Sequence, residues 1–203
     1  MAKDEKLSAV SGNGRLQLVD ETLRDGTQSL WGMMTSYHMI EPVLGEIAEA
    51  GYYSINGPWH GAYPLISARF FNEDPRLLFQ MIREKLKNTK SNIVITTMEM
   101  MAFITSPPEN KTMIKLMYQV LKDLCPKVNQ ATAICCTRDQ IKNEYPILFP
   151  TFRAMGIEPI PYFAIGHGPR HTDEFYGNAV KEVAEKFKPI SLCIKDVDGL
   201  LTS

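Results

Sequence analysis

Short runs of β-branched residues alternate with longer amphipathic segments along most of this 203-residue chain. This alternation is typical of successive βα units around a parallel sheet. The runs recur about every 35 residues, which fits one strand, one helix and two loops per unit. We predict strands at Leu16–Asp20, Tyr53–Asn56, Ile93–Thr97, Gln130–Cys135, Glu158–Phe163 and Ser191–Lys195.

Helical patterns fill the intervals between these strands, and local residues mark several of their ends. Gly51 and Gly156 follow helical segments, where a left-handed residue costs glycine nothing. Asp74 before Pro75 predicts a capped helix start, and Thr172 before two acidic residues predicts another. The predicted helices are His38–Ala50, Pro75–Lys87, Glu109–Leu124, Arg138–Met155 and Thr172–Lys186.

The composition is that of one globular domain, with 44% hydrophobic and 22% charged residues. A net charge of −1 with scattered lysines and arginines argues against nucleic acid as a partner. The apolar runs fall far below the roughly 18 residues of a membrane span. Residues 1–14 lack the apolar stretch of a secretory signal, so we interpret them as a mobile lead-in to a domain at 15–203.

The four cysteines are Cys125, Cys135, Cys136 and Cys193, and each lies in an apolar segment. None forms the C-x-x-C spacing of zinc or redox sites. We therefore expect buried, reduced thiols in a cytoplasmic protein, because free cysteine packs as a small hydrophobic residue.

The most polar segments of the chain follow the first and sixth predicted strands. Asp20 to Gln28 contains several carboxylates, an arginine and a glutamine, and Lys195 follows an apolar strand. In parallel barrels, functional side chains come from the carboxyl ends of the strands. A buried lysine must be paired, neutral or modified, because an isolated buried ammonium is costly. A structural interpretation stays open, with Asp25 as a helix cap, Arg24 in a rim salt bridge and Lys195 paired with its neighbour Asp196.

These two segments resemble a known family. The run DETLRDGTQSL from Asp20 resembles the first strand of the metal-dependent barrels that include isopropylmalate synthase, 3-hydroxy-3-methylglutaryl-CoA lyase and the biotin-dependent carboxyltransferases. The run LCIKDVDGLL from Leu192 resembles the sixth strand of the carboxyltransferase branch, in pyruvate carboxylase and the oxaloacetate decarboxylase alpha subunit. Pro58–Ala62 and Arg69–Arg76 are similar to that branch's second-strand loop and helix. The resemblance implies an α/β fold, a (β/α)₈ TIM barrel of the pyruvate carboxyltransferase type, with about six of the eight βα units in this chain.

The resemblance also implies roles for individual residues. Asp20 would bind a divalent metal, and Lys195 would become carbamylated and bind the same ion. Zinc is the first expectation, with manganese or cobalt as alternatives. Arg24 and Gln28 would orient the substrate oxygen, and Asp25 would hold the arginine in place. The implied reaction moves a carboxyl group between carboxybiotin and a keto acid or related acceptor through a metal-stabilised enolate.

The chain departs from the family pattern at several positions. The family's metal-binding H-x-H pair, on the seventh strand, would fall beyond Ser203. The family's third-strand arginine is replaced near Thr97 and Met98, and a family aspartate aligns with Leu65. These changes put pyruvate itself in doubt as the substrate. Two interpretations of His167, after the fifth strand, stay open. It replaces one of these metal ligands, or it is a histidine at the barrel rim that binds no metal.

Six βα units cannot close an eight-stranded barrel, so the edge strands would leave unpaired backbone groups. We expect a second polypeptide to supply strands seven and eight with the H-x-H pair. Without it, the chain would be inactive. A biotin carrier protein, acting in trans, and a biotin carboxylase complete the expected complex. The rival interpretation is a gene fragment without activity.

Two other functions stay open. Gly26-Thr27 after Asp25 favours a Claisen-type condensing enzyme or lyase of the same superfamily, because the carboxyltransferases usually have alanine-histidine there. Lys195 argues against it, since condensing members lack a metal-binding lysine at that position. Leu65 and the lost arginine favour a non-catalytic scaffold subunit of a carboxylase complex.

Overall fold

The computed structural model describes residues 16–57, 62–96, 108–134, 137–196 and 199–201. Several expectations fall outside the described residues. They are the lead-in at 1–14, the loop at Pro58–Gly61, the substitution at Thr97 and Met98, the thiols of Cys135 and Cys136, and Val197–Asp198.

Six strands form one parallel sheet in sequence order. The strands are Val19–Asp20 (β1), Ser54–Asn56 (β2), Asn92–Thr96 (β3), Val128–Ile134 (β4), Glu158–Ala164 (β5) and Cys193–Lys195 (β6). Each strand pairs with the next along the chain, and every pairing is parallel. The prediction of a partial TIM barrel is confirmed, because this order and direction are those of six consecutive barrel strands.

One hydrogen bond inside the sheet shows that it curls. The Ser54 hydroxyl on β2 donates to Gln130 Oε1 on β4 at 3.0 Å, and both residues are buried. Strand β3 lies between β2 and β4 in the sheet. Side chains of alternate strands meet in this way inside a barrel, where they fill its interior in layers. The concave face of the sheet is therefore the inside of a partial barrel.

Seven α-helices are described in this part of the chain. A π-helical turn at Thr22–Gly26 leads into Thr27–Trp31 (α1), and a second at Gln140–Glu144 leads into Tyr145–Ala154 (α6). The other helices are Tyr37–Glu49 (α2), Ala62–Phe70 (α3), Pro75–Leu86 (α4), Pro108–Leu124 (α5) and Asp173–Phe187 (α7). Their apolar faces pack on the sheet, with Leu44, Leu78, Ile82 and Phe152 almost fully buried. No helix among the described residues is long and apolar enough to cross a bilayer.

The predicted helix ends are confirmed where their signals are local. Asp74 accepts a hydrogen bond from the Arg76 N–H at 2.9 Å, with Pro75 in the first turn of α4. Thr172 accepts one from the Phe175 N–H at 3.1 Å and caps α7. Gly51 and Gly156 adopt φ of 75° and 70°, the left-handed conformation expected after a helix.

The differences from prediction concern the edges of the sheet and two helices. The edge strands β1 and β6 cover only the last two and the last three residues of the predicted Leu16–Asp20 and Ser191–Lys195. Helices α1 and α3 were not predicted. The thiol of Cys125 is buried as expected, but Cys193 is exposed, since it lies on the edge strand β6.

Candidate functional site

The chain turns sharply at the end of β1 and places four charged residues, Asp20, Glu21, Arg24 and Asp25, within six positions. Asp20 ends the strand and is only 7% exposed. Its two carboxylate oxygens accept hydrogen bonds from Thr22, one from the backbone N–H at 3.3 Å and one from the hydroxyl at 2.8 Å. These bonds fix the carboxylate against the start of the π-helical turn and occupy part of its acceptor capacity.

Arg24 is buried in the same turn and lies between two carboxylates. Its Nε and Nη2 atoms lie 2.9 Å and 2.7 Å from Glu21 Oε2. Its Nη1 atom lies 3.0 Å from Asp25 Oδ1 and donates to Gln28 Oε1 at 3.5 Å. Charge-assisted hydrogen bonds from both sides therefore hold the guanidinium in one orientation. Three of the residues singled out in the sequence, Arg24, Asp25 and Gln28, are brought together here.

Glu21 is the residue of this cluster that sequence reasoning missed. Besides holding Arg24, its Oε1 atom accepts a hydrogen bond from Asn56 Nδ2 at 2.9 Å, at the end of β2. Asn56 is almost fully buried, so this bond joins the first two strands at the rim of the barrel. The sequence signal that could have revealed this bond was Asn56, a polar residue at the last position of a predicted strand.

Lys195 ends β6, but it is not the deeply buried lysine that the sequence suggested. The strand forms an edge of the described sheet, and Ile194 beside it is 64% exposed. The Lys195 Nζ atom lies 5.6 Å from the centre of the Tyr162 ring on β5, within the range of a cation–π contact. Asp196 accepts hydrogen bonds from the backbone N–H groups of Leu200 and Leu201 at 2.8 Å and 2.9 Å, so it shapes the turn after β6.

Charged residues after β1 influence the pKa of the Cys193 thiol on β6. Desolvation raises the pKa of this thiol, and the Glu21 carboxylate raises it further, whereas Lys195 and Arg24 act in the opposite direction. Charges influence one another over a range of about 8 Å at physiological ionic strength. Because all six strands run parallel, the charged cluster after β1 and the end of β6 lie at the same edge of the curled sheet, where the strands have their carboxyl ends.

The charge of the side chains after β1 suits a divalent cation, but the number of ligands that they offer does not. Asp20, Glu21 and Asp25 with Arg24 carry a formal charge of −2, and the Asp25 side chain is half exposed. However, the described residues contain no group of three or more histidine, cysteine or acidic side chains arranged to hold a metal ion. This part of the chain can contribute ligands to a metal, but further donors are needed to complete a site.

Two other sequence expectations lie at the rim. His167 is exposed in the loop after β5, with no metal-ligand group around it among the described residues. Leu65, which aligns with a family aspartate, is exposed on α3. His171 lies in the same loop as His167. Tyr176 holds it in place, because the Tyr176 hydroxyl lies 2.6 Å from His171 Nδ1.

Two archaeal proteins are similar to this chain over most of its length, although no protein-family model matches it. The pyruvate carboxylase B subunit of Methanocaldococcus jannaschii is 26% identical over 195 residues, which is 92% of this chain and 31% of the relative. Its counterpart in Methanothermobacter thermautotrophicus is 23% identical over 198 residues, again 92% and 31%. The chain thus spans about a third of the length of these relatives.

Solved structures of one enzyme domain share the fold. The carboxyl transferase domain of Rhizobium etli pyruvate carboxylase with pyruvate and biocytin superposes with a TM-score of 0.75 at 23% identity. That match covers 93% of this chain and 32% of the other. The same domain in a second structure gives 0.72 at 22% identity. This chain is therefore homologous to the pyruvate carboxylase B subunit, and its six parallel strands match part of the TIM barrel of the carboxyl transferase domain.

Proposed function

We propose that this chain forms part of a biotin-dependent carboxyltransferase centre, which moves a carboxyl group between carboxybiotin and a keto acid or a related enolisable acceptor. The homology to the pyruvate carboxylase B subunit supports carboxyl transfer as the reaction class. The observation that carries the proposal is the arrangement at the barrel mouth. A buried arginine held by two carboxylates follows β1, and Lys195 ends β6 at the same edge of the parallel sheet.

In this proposal Arg24 binds the carbonyl oxygen of the acceptor and then the enolate oxygen. A guanidinium has five N–H donors, and the carboxylates of Glu21 and Asp25 engage only part of them. Gln28 lies beside Arg24 Nη1 and offers an amide donor to the same oxygen. Because the arginine cannot reorient, it stabilises the negative charge that develops on that oxygen without a reorganisation cost.

We further propose Asp20 and Lys195 as two ligands of a divalent cation, with zinc first and manganese or cobalt as alternatives. Lys195 would first add carbon dioxide to its neutral amine with loss of a proton, which gives an anionic oxygen donor. The excess negative charge after β1 supports a cation there. When bound, the ion supplies Lewis acidity toward the acceptor oxygen. Asp25 competes with Asp20 as the carboxylate ligand, since its side chain is the more exposed of the two.

The partners follow from the same proposal. Exposed apolar side chains along β1 and β6 support a second polypeptide that adds the remaining barrel strands. Biotin would reach the mouth on a carrier protein, after carboxylation by a biotin carboxylase. The acceptor is a small molecule.

Solvent exchange of keto-acid protons tests the proposal without biotin. The complex is isolated through a tag on this chain, and NMR follows the loss of the methyl signal of pyruvate and the methylene signal of 2-oxobutyrate in D₂O. We expect exchange with at least one of them, and a loss of 100-fold or more in Arg24→Gln and Lys195→Ala, since each removes charge stabilisation of the enolate. Arg83→Gln, an exposed arginine on α4 beside Glu84, is the control.

The alternatives give different results in this assay. When an acyl-CoA or free biotin is added to this assay, a condensing enzyme would turn over with the acyl-CoA and its rate would not change with biotin. A scaffold subunit would leave exchange unchanged in Lys195→Ala, and that result would overturn the catalytic assignment. The departure at Thr27 has a local explanation, because its buried hydroxyl donates to the Leu23 carbonyl at 3.0 Å within the helix.

A further inference from the structure

A cleft lies after β4 and β5, apart from the cluster that follows β1. Its volume is about 350 Å³, within the range of roughly 300–1,000 Å³ that is typical of small-molecule sites. The lining residues come from the starts of two helices and from the loop that follows β5. They are Thr137, Arg138, Asp139, Arg170, His171 and Phe175.

Two helices begin at this cleft. The Thr137 hydroxyl accepts a hydrogen bond from the Gln140 N–H at 3.3 Å, and Gln140 Oε1 accepts one from the Thr137 N–H at 3.0 Å. This reciprocal pair is a capping box, and it fixes the start of the helical segment that continues into α6. Thr172 caps α7 in the same way. Helix starts carry partial positive charge, but carboxylates of the chain already lie in both first turns, Asp139 in one and Asp173 with Glu174 in the other, so the helix ends themselves add little attraction for an anion.

The loop that carries Arg170 and His171 is held rigidly. The Tyr176 hydroxyl donates to the Ala164 carbonyl at 2.9 Å and accepts from the Gly166 N–H at 3.2 Å. Because its one proton goes to Ala164, it also accepts from His171 Nδ1, which lies 2.6 Å away. The His171 ring packs against Gly166, where an added Cβ would lie 3.2 Å from the ring. The cleft is therefore preformed on this side.

The balance of charge in the lining is positive. Among the described lining residues, Arg138 and Arg170 each bring a permanent cation and Asp139 brings a single carboxylate. Arg138 lies 3.6 Å from Glu182, but that carboxylate is closer to Lys186, at 2.6 Å. Arg138 is thus only loosely paired. Phe175 adds an apolar wall, and its ring packs edge-on to His171.

From these features we propose that the cleft binds a phosphate group, either as inorganic phosphate or as a phosphomonoester. Two guanidinium groups supply the positive charge and the paired N–H donors that suit the oxygens of a phosphate. The site is independent of carboxyl transfer, since it uses none of the residues at the ends of β1 and β6.

Titration of the chain with inorganic phosphate, phenyl phosphate and acetate at low ionic strength, followed by calorimetry and NMR, tests the proposal. We expect saturable phosphate binding, weakened at least tenfold in the double variant R138Q/R170Q and unchanged in R83Q. Both arginines are exposed, and an unaltered thermal unfolding midpoint will show that the double variant folds. Tighter binding of phenyl phosphate indicates a phosphomonoester packed on Phe175, and equal binding indicates free phosphate.

Two results would overturn this assignment. One is the absence of saturable phosphate binding, or the same affinity in the wild-type chain and the double variant. The other is acetate binding at the same cleft as tightly as phosphate, because a general carboxylate site would not distinguish them.

Discussion

At the scale of single residues, the carboxylate of Glu21 organises the mouth of the partial barrel. It accepts two contacts from the Arg24 guanidinium and one from Asn56 on the neighbouring strand. Arg24 is buried, and a buried cation is tolerated only when it is paired. Glu21 thereby sets the direction in which the arginine can reach a ligand, although it need not touch the ligand itself.

The exposed thiol of Cys193 provides a direct test of this arrangement. Thiolate is the reactive form, so a raised pKa moves the curve of alkylation rate against pH to higher pH. Glu21→Gln removes a negative charge that disfavours the thiolate, and we expect the curve to move to lower pH. Arg24→Gln removes a positive charge, and we expect the opposite shift. Iodoacetamide labelling with peptide-resolved mass spectrometry measures the rate at this position alone.

Two controls accompany the alkylation experiment. Cys125 is buried and should stay unlabelled in every variant that folds, so its labelling reports loss of structure. Glu84→Gln changes an exposed carboxylate on α4 and should leave the Cys193 curve in place. Equal shifts in Glu84→Gln and Glu21→Gln would mean that β1 and β6 do not face each other.

Sequence reasoning found part of this cluster and missed the rest for a physical reason. Arg24, Asp25 and Gln28 lie within one helical turn of each other, so their proximity is a local property of the sequence. The bond between Glu21 and Asn56 joins residues 35 positions apart and exists only after β1 and β2 have paired. The exposure of Cys193 depends on which strand lies at the edge, and the apolar pattern of a strand does not reveal that.

At the scale of elements, two lysine side chains donate hydrogen bonds to backbone carbonyls near the ends of helices. Lys127, just before β4, donates to the carbonyl of Leu86 at the end of α4, at 2.8 Å, and also to the Thr89 carbonyl. Lys122 on α5 donates to the Gly156 carbonyl at 3.2 Å and to the Val128 carbonyl. Burial lowers the pKa of both lysines. Such contacts satisfy the carbonyls left open at a helix end.

We expect Lys127→Met to destabilise the fold by about 1–2 kcal/mol, because the charge-assisted bonds to the carbonyls of Leu86 and Thr89 are lost while the aliphatic stem is kept. Urea unfolding followed by circular dichroism measures the change. Lys85→Met is the matched control, since that exposed lysine lies 3.8 Å from Glu41 and should contribute less than about 1 kcal/mol. If both variants lower the free energy of unfolding by the same amount, the hydrogen bonds from Lys127 to these carbonyls add nothing beyond an ordinary surface contact.

The same distinction between local and distant contacts explains which elements were predicted. Asp74 and Thr172 cap their helices through residues two or three positions away, so the sequence reveals them. The contact between Lys127 and Leu86 spans 41 positions and leaves no sequence signal. Helix α3 was missed because its sequence, AYPLISARF, includes a proline and mixes apolar residues around the whole helix.

At the scale of the whole molecule, the two edges of the sheet are unusually apolar. Near β1, Leu16 is 85% exposed, and Leu18 and Val19 are each more than half exposed. Near β6, Ile190, Ile194 and Leu201 are likewise exposed. Edge strands normally carry charges or short lengths that prevent association, and an apolar edge invites another strand. The same surfaces that fit additional barrel strands would therefore associate with other copies when those strands are absent.

We expect this 203-residue chain on its own to self-associate, with a weight-average mass that rises with concentration in sedimentation equilibrium. Placing a lysine on each edge in the double variant V19K/I194K should lower that mass toward the monomer, because a charge at an edge strand opposes strand addition. Leu116→Lys is the matched control, since Leu116 is an exposed leucine on α5, away from both edges. A chain that stays monomeric at all concentrations, or an equal effect of Leu116→Lys, would show that the edges of β1 and β6 are not its association surfaces.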